Sequence, residues 1–354
     1  MGLNPAYLVT ANDRDITDII ARRLVSLSVT TETEHQSDEL TLTLWNDPLS
    51  PIRKPSLGAM LTLDLGYEQE LTRMGNFIVS SLSGQGGKMQ GQTMTIQARA
   101  APYSETPGGV TEFQTQKSRS WRAGTTIGAM VAKMASEHGM KAGVSSSLAP
   151  IALQHLDQTE EADISFLQKI ARHYDAVAKP AGGKLLFITR GESQSASGAV
   201  MPPVSLTSHQ ISEWRWSEDR HITPGTVIAL YHETRKAQTF SVSIGSGEPV
   251  RRLRRKFRTA SDARAAAQAE MARRARSSIE MNLTLPGDAT LNGGTSIILD
   301  HSLDESTEGQ WIIRRATHRL GKQEGFITEL DCERPNNDDT VQAFLKGPVH
   351  VAGL

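Results

Sequence analysis

Residues 40–45 read LTLTLW: Leu40, Leu42 and Leu44 alternate with Thr41, Thr43 and Trp45. Successive side chains of an extended chain point to opposite faces, so this alternation predicts a half-buried β-strand, not a helix. The same period returns further along the chain. Residues 46–51 (NDPLSP) break the first strand with turn residues, and Leu61, Leu63 and Leu65 then alternate around Thr62 and Asp64. A further strand is predicted over 77–82, and Met94, Ile96 and Ala98 alternate after the glycine-rich stretch 84–91. Short strands separated by turn signals predict a sandwich or barrel over the first hundred residues.

Past Tyr103 the period changes. Residues 104–120 are polar, contain Pro107-Gly108-Gly109 and read as a linker. From Gly124 onward, Ile127, Met130, Val131 and Met134 fall on one helical face, with a stop near His138-Gly139. A second helix is predicted over 163–175, with Leu167, Ile170, Ala171 and Tyr174 inward and Asp163 as N-cap. Gly182-Gly183 turns the chain into a strand at 184–189, and the Ser/Ala/Pro-rich residues 193–203 read as a second linker. Strand signals return at 211–216, 227–231 and 239–244. A third helix is predicted over 261–279, where Thr259 and Asp262 suit a capping box and Ala267, Met271, Ala275 and Ile279 repeat every four residues. Strands follow at 281–285, 297–299, 311–320 and 326–333. In the last, Phe326, Leu330 and Cys332 share one face, Glu329, Asp331 and Glu333 the other; residues from 335 onward read as a polar tail.

The chain has 354 residues, 38% of them hydrophobic and 22% charged, enough apolar content for two or three cored domains. Lys and Arg number 38 against 39 Asp and Glu, a net charge of -1 that excludes a globally basic nucleic-acid binder but not a local basic patch. The single cysteine, Cys332, excludes an intrachain disulfide and a Cys-based zinc site. It is expected to be buried and chemically silent. No run approaches the roughly 18–20 apolar residues that span a bilayer, and residues 1–15 lack the features of a signal peptide, so folding in a cytoplasm is expected.

Catalytic motifs fail at their key positions. Gly84-Gln85-Gly86-Gly87-Lys88 lacks both the spacing of a phosphate loop and the Ser/Thr after its Lys, and reads as a hairpin turn. Gly191-Glu192-Ser193-Gln194-Ser195 lacks the final Gly of a nucleophile elbow, and His232-Glu233 has no second His to complete a metalloprotease helix. The ten histidines show no ligand spacing, His138 being read as a helix C-terminal residue. Glu160, Glu161 and Asp163 read as negative charge favoured at a helix start. No catalytic, metal-ligating or cofactor-binding residue is expected.

The densest charge is RRLRRKFR, residues 251–258: Arg251, Arg252, Arg254, Arg255, Lys256 and Arg258, with Leu253 and Phe257 interleaved. Such a run can attract phosphates, or it can be an exposed or interface strand anchored by its two apolar residues. No recognition helix accompanies it, and the charges are too dense for one side chain per base edge. A role in assembly or in a channel wall is therefore expected, with Glu329, Asp331 and Glu333 as candidate opposing acids, in this chain or a neighbour. Trp214 and Trp216 share one strand face, which suits core or interface packing more than a ligand platform.

Trp121, Gly124, Thr125, Thr126 and Ile127, followed by His138-Gly139-Met140, resemble the "W..GTTI…HG" block of the phage late control D family. So do residues 158–187, with Asp163, Phe166-Leu167, Ile170-Ala171, Tyr174, Ala176 and Lys184-Leu185-Leu186-Phe187. The alanine-rich helix followed by Leu283, Leu285, Pro286, Gly287, Asp288 and Gly294 continues the likeness. Gly309 to Ile313, Thr317-His318, Thr328, Leu330 and Glu333 close it.

The resemblance implies the baseplate hub of a contractile phage tail (or tailocin), akin to the hub half of the VgrG proteins of type VI secretion. It implies a homotrimer with two tube-like β-barrel domains per subunit, adapting a hexameric tail tube to a trimeric spike. The fold class that follows is β-rich α+β. The first barrel takes residues 1–103, an inserted α/β domain 104–192, and the second barrel 193–335 with an inserted helix at 259–280, leaving 336–354 as tail. VgrG chains continue into a needle, whereas this one stops at Leu354, so spike and lysis are expected on other chains. The implied partners are a separate spike protein, tail tube and baseplate proteins and the tape measure protein, with DNA passing through the channel. The expected place is the virion tail after assembly in the host cytoplasm. Two other functions compete: a nucleic-acid-binding tail component using residues 251–258, and a glycan-binding or hydrolytic one.

Overall fold

The computed structural model describes residues 4–33, 38–87, 91–100, 113, 115–181, 184–191, 202–219, 225–233, 236–304, 307–322, 324–335 and 349–353. The chain opens with β1 (Pro5–Ala11), β2 (Arg14–Asp15), α1 (Thr17–Ala21), β3 (Leu24–Glu32), β4 (Glu39–Trp45), β5 (Met60–Tyr67), β6 (Glu70–Gln85) and β7 (Thr93–Ala100). Next come β8 (Gln116–Trp121), α2 (Ile127–Glu137), β9 (Lys141–Val144), β10 (Leu156–Ala162), α3 (Asp163–His173), β11 (Ala176–Ala181) and β12 (Lys184–Thr189). The remainder holds β13 (Val204–Leu206), β14 (Glu213–Glu218), β15 (Thr226–Glu233), β16 (Gln238–Gly245), β17 (Val250–Phe257) and α4 (Ala260–Arg276). It ends with β18 (Ile279–Pro286), β19 (Ser296–Leu299), β20 (Gly309–Gly321), β21 (Gly325–Glu333) and β22 (Val349–Gly353).

As its alternation dictates, β4 buries Leu40, Leu42 and Leu44 and leaves its threonines half-buried. It belongs to a large sheet in the order β14-β18-β21-β20-β3-β4-β7-β6-β5-β1-β2, with β19 branching from β20 and β13 from β19. The seam is β3 against β20, antiparallel from Ser26–Gly321 to Glu32–Arg315. The beginning and end of the chain therefore share one sheet, with separate cores on either side of that seam. One gathers Leu27, Leu40, Leu63 and Phe77; the other gathers Leu283, Ile297, Trp311 and Leu330. The chain is β-rich, as expected. Cys332 is buried in the second core. No described helix is long and apolar enough to cross a membrane.

The middle segment has its own core, built on Ile127, Met130, Leu167 and Phe187. Helix α2 buries the four expected residues, starts at Thr126, whose hydroxyl accepts the Ala129 N–H at 3.2 Å, and stops before Gly139 at φ +66. Helix α3 differs from expectation at its start. Its N-cap is Ala162, and Asp163 is the first helical residue, its carboxylate turned away to an ionic cluster. Tyr174 follows α3 and is only half-buried. Of the first expected linker, 116–120 belong to strand β8, whose polar residues pair with β10. Residues 104–112 of it lie outside the described residues, as do 193–201 of the second. Strands β6 and β7 pair antiparallel up to Gln85–Thr93, as a hairpin requires, with residues 88–90 of its turn outside the description.

Strands at 226–257 depart from the expected second barrel. They form a separate four-stranded sheet, β17-β15-β16-β22, whose core of Val227, Val242, Ile244, Ala267 and Met271 is closed by α4. The expected tail is corrected as well: Val349–Gly353 is a strand, antiparallel to β16. Its Val-His-Val alternation was masked by the polar residues before it. The Thr259 hydroxyl accepts the Asp262 N–H at 3.1 Å, as the capping signal predicts. The helix nevertheless ends at Arg276, so Ile279 begins β18 and does not extend the helical stripe.

Candidate functional site

The expected pairing of the acids of β21 with the basic segment does not form within this chain. Glu329 lies 3.1 Å from Arg319, and Asp331 accepts a hydrogen bond from Asn282 at 2.8 Å and lies 3.7 Å from Arg315. Glu333 is buried, not on an outer face, and accepts from Arg190 at 3.2 and 3.1 Å. The physical reason is topological. Strand β21 runs inside the large sheet between β18 and β20, whose cross-strand arginines and asparagine reach its acids first. Strand β17 is an edge of the other sheet.

Glu333 belongs to a buried ionic knot. Arg276, with no exposed side-chain surface, donates to both carboxylate oxygens of Asp175 at 2.7 and 2.6 Å, and its Nε lies 3.7 Å from Glu333. Asp175 and Arg190 flank the β11–β12 hairpin, and Asp175 takes a left-handed backbone, φ +50. Within the same hairpin the Lys179 ammonium donates to the Glu32 carbonyl on β3. One hairpin of the middle segment thus grips both the start and the end of the chain. Periodicity holds one overlooked signal for this: Arg276 lies four residues after Ala272, on the buried stripe of α4.

A second ionic cluster surrounds Asp163. Its carboxylate accepts from Arg119 at 2.6 Å, Gln158 at 2.7 Å, and Lys117 and His138 at 2.8 Å each. Burial alone would raise its pKa. The hydrogen bonds from Gln158, Lys117 and His138 and the charge of Arg119 outweigh that and hold it at about 2. Glu137 completes the cluster against Arg119 and Lys117. His138 caps α2 as expected, but its ring serves Asp163. Glu161 pairs with Lys169, and Glu160 is exposed. The Asp163 carboxylate is held by four neighbours within the fold, so the cluster braces β8, α2 and α3. Among the described residues, no His/Cys/Asp/Glu group could hold a metal ion. Burial pushes the Cys332 thiol well above its ordinary range, as expected for a silent cysteine.

The basic segment is β17. Its two apolar residues anchor it as expected, Phe257 buried and Leu253 half-buried, while its six cations are exposed. Arg251 pairs with Glu270 of α4 at 2.8 Å, and Arg258 donates to the His155 carbonyl at 3.4 Å. Against the parallel β15, Arg252 faces Ile228 and Lys256 faces Leu230, so Leu253, Arg254 and Arg255 oppose Ala229 alone. This bulge bends the strand and re-aims its side chains. Arg255 lies over the Phe257 ring at 5.8 Å. The end of α3 packs here too, with His173 5.1 Å from Phe257 and its pKa lowered to about 4 by burial, so its ring is neutral near pH 7. Trp214 and Trp216 lie on edge strand β14, opposite the core residues Leu283 and Met281. They are 38% and 37% exposed, so they continue the core face past the sheet edge.

Residues 34–324 match the model of the phage tail baseplate hub (GPD) family. A probable baseplate hub protein of Escherichia phage 186 is 29% identical, the match covering 94% of this chain and 93% of that one. Among solved structures, the 43 kDa tail protein of prophage MuSo2 from Shewanella oneidensis superposes with a TM-score of 0.70 at 14% identity, covering 94% of this chain and 99% of that one. The E. coli c3393 protein, a component of the type VI secretion system, superposes with a TM-score of 0.53 at 7% identity, covering 94% and 77%.

Proposed function

This chain belongs to the phage tail baseplate hub family, and from that premise we propose that it is a homotrimeric adaptor between the tail tube and a central spike carried by another chain. It acts by assembly, without turnover or cofactor. The large sheet supplies the wall: the β3–β20 pairing joins the strands of the first hundred residues to those of the last segment, one sheet with two cores. That seam is the observation that carries the reading, because two sheet units fixed side by side in each of three subunits give six around a ring. The residues before 104 then form the first tube domain, and those of β13, β14 and β18–β21 the second. The sheet and α4 at 226–276 stand beside the second, and the middle segment is an insertion held by the Arg276 knot. Strand β14, an open edge with two half-exposed tryptophans, is a candidate subunit contact. An obligate ring of this kind needs more than about 2,000 Å² at each interface. Light scattering on the purified chain tests the proposal. A monodisperse particle of three chains is expected; a monomer at micromolar concentration, both alone and with the spike protein, overturns it.

A further inference from the structure

Between α3 and β17 runs a groove in two adjoining parts. One, of about 340 Å³, is lined by Phe166, Lys169 and His173 on one side and Arg255, Lys256 and Phe257 on the other. The second, of about 410 Å³, shares Lys169, His173, Arg255 and Phe257 and adds Arg172 and Arg254. Four of these cations, Arg172, Arg254, Arg255 and Lys256, make no ion pair among the described residues. The acids nearby are mostly engaged: Asp175 holds Arg276, Glu270 holds Arg251 and Arg274, and Asp157 holds Ser120 and His155, leaving Asp262. His173, neutral in its buried place, adds no charge.

We propose that this groove binds an acidic polypeptide segment of a partner protein, its carboxylates meeting Arg172, Arg254, Arg255 and Lys256. Cations crowded into one groove repel one another and are relieved by an anionic guest. The guanidinium fork suits a carboxylate in two-point contact. A nucleic-acid strand fits less well. Single-stranded chains bind by stacking bases on exposed aromatic faces, whereas Phe166 and Phe257 are buried and His173 lies against Phe257. Strand addition is disfavoured too, because the bulge and the dense charge make the free edge of β17 a poor template. Recognition runs through side chains. The inference goes beyond the adaptor reading and holds whether or not the ring closes.

The test uses the full chain and two fluorescein-labelled probes, deca-glutamate and an oligothymidylate of ten nucleotides, followed by fluorescence anisotropy across a salt series. The peptide is expected to bind more tightly than the oligonucleotide, with affinity falling as salt rises. The double variant Arg254→Glu/Arg255→Glu should weaken peptide binding by about tenfold or more, whereas Arg215→Glu on strand β14, which does not line the groove, should not. Equal peptide binding by the double variant and the native chain, no peptide binding by the native chain, or tighter binding of the oligonucleotide each overturns the proposal. Light scattering on the same samples separates the two readings. Lost peptide binding at unchanged particle mass speaks for the groove alone, and a monomer that still binds peptide leaves the groove standing while the ring falls.

Discussion

Arg276 and Arg254 flank the same part of the molecule and meet opposite fates. Arg276, at the end of α4, is sealed from water and bound at both ends of its guanidinium to Asp175. Arg254, on the bulged edge strand β17, is exposed and unpaired among the described residues. Charge type does not separate them. The difference lies in what each backbone position faces: Arg276 extends the alanine stripe of its helix into the junction with the middle segment, where two carboxylates wait. Arg254 leaves the outermost strand of its sheet with only the groove beside it. Removing a buried charge from its partners strands those partners in a low-dielectric site, whereas removing an exposed one costs little. Stability and recognition are thus carried by separate sets of arginines.

The largest effect that could break this contrast is at the knot. Arg276→Ala leaves the half-buried Asp175 without its cation, while Glu333 keeps Arg190, and should destabilise the fold by about 3 kcal/mol, measured as a shift in the denaturation midpoint. A loss below about 1 kcal/mol would mean that the knot is wet and dispensable.

Acid sharpens the contrast next. The Asp163 carboxyl is held at about 2 in the fold against an ordinary 3.8, so its folded pKa is depressed. Its stabilising contribution is complete above about pH 4 and is lost as pH falls through about 2, an effect of roughly 2 kcal/mol. Chemical denaturation from pH 5 down to pH 2 should show that loss. Asp163→Asn should be less stable at neutral pH and should flatten the acid limb. An unchanged limb would assign the acid sensitivity to other carboxylates.

The smallest effect is expected on the exposed side. Arg254→Glu/Arg255→Glu should leave the stability of the isolated chain within about 0.5 kcal/mol, because both are exposed and neither makes an ion pair among the described residues. A thermal midpoint matching that of the native chain supports the division of labour. A large drop would show that the edge strand needs its cations to fold.

Much of the fold was legible. The Leu/Thr alternation at 40–45, the inward faces of α2 and α4, the Thr259 cap and the burial of Cys332 all follow from local periodicity and end chemistry, which act over a few residues. Strand β22 was hidden because a five-residue strand within a polar stretch carries too little pattern. The five-residue α1 is too short to show a period, and the apolar residues of β1 (PAYLVTA) run together without strict alternation. The candidate site was legible in composition only. The six cations of 251–258 stand out in any reading, yet their supposed acidic partners on β21 turned to Arg319, Arg315 and Arg190. The unpaired Arg172 that completes the groove comes from α3, roughly eighty residues earlier, and carries no local mark.

By itself, the sequence determined the strongly periodic strands and helices, most of their inward faces, and to which family the chain belongs. Each of these is written in spacings within one element or in the order of such elements. The tertiary structure alone decided partnership: that β3 and β20 share a sheet, that β17 is an edge, that Arg276 is buried and Arg254 is not. Arg276 and Asp175 are 101 residues apart. A side-chain period of two or 3.6 residues states which way a residue points but not what waits there, and the energy of a charge depends on what waits there.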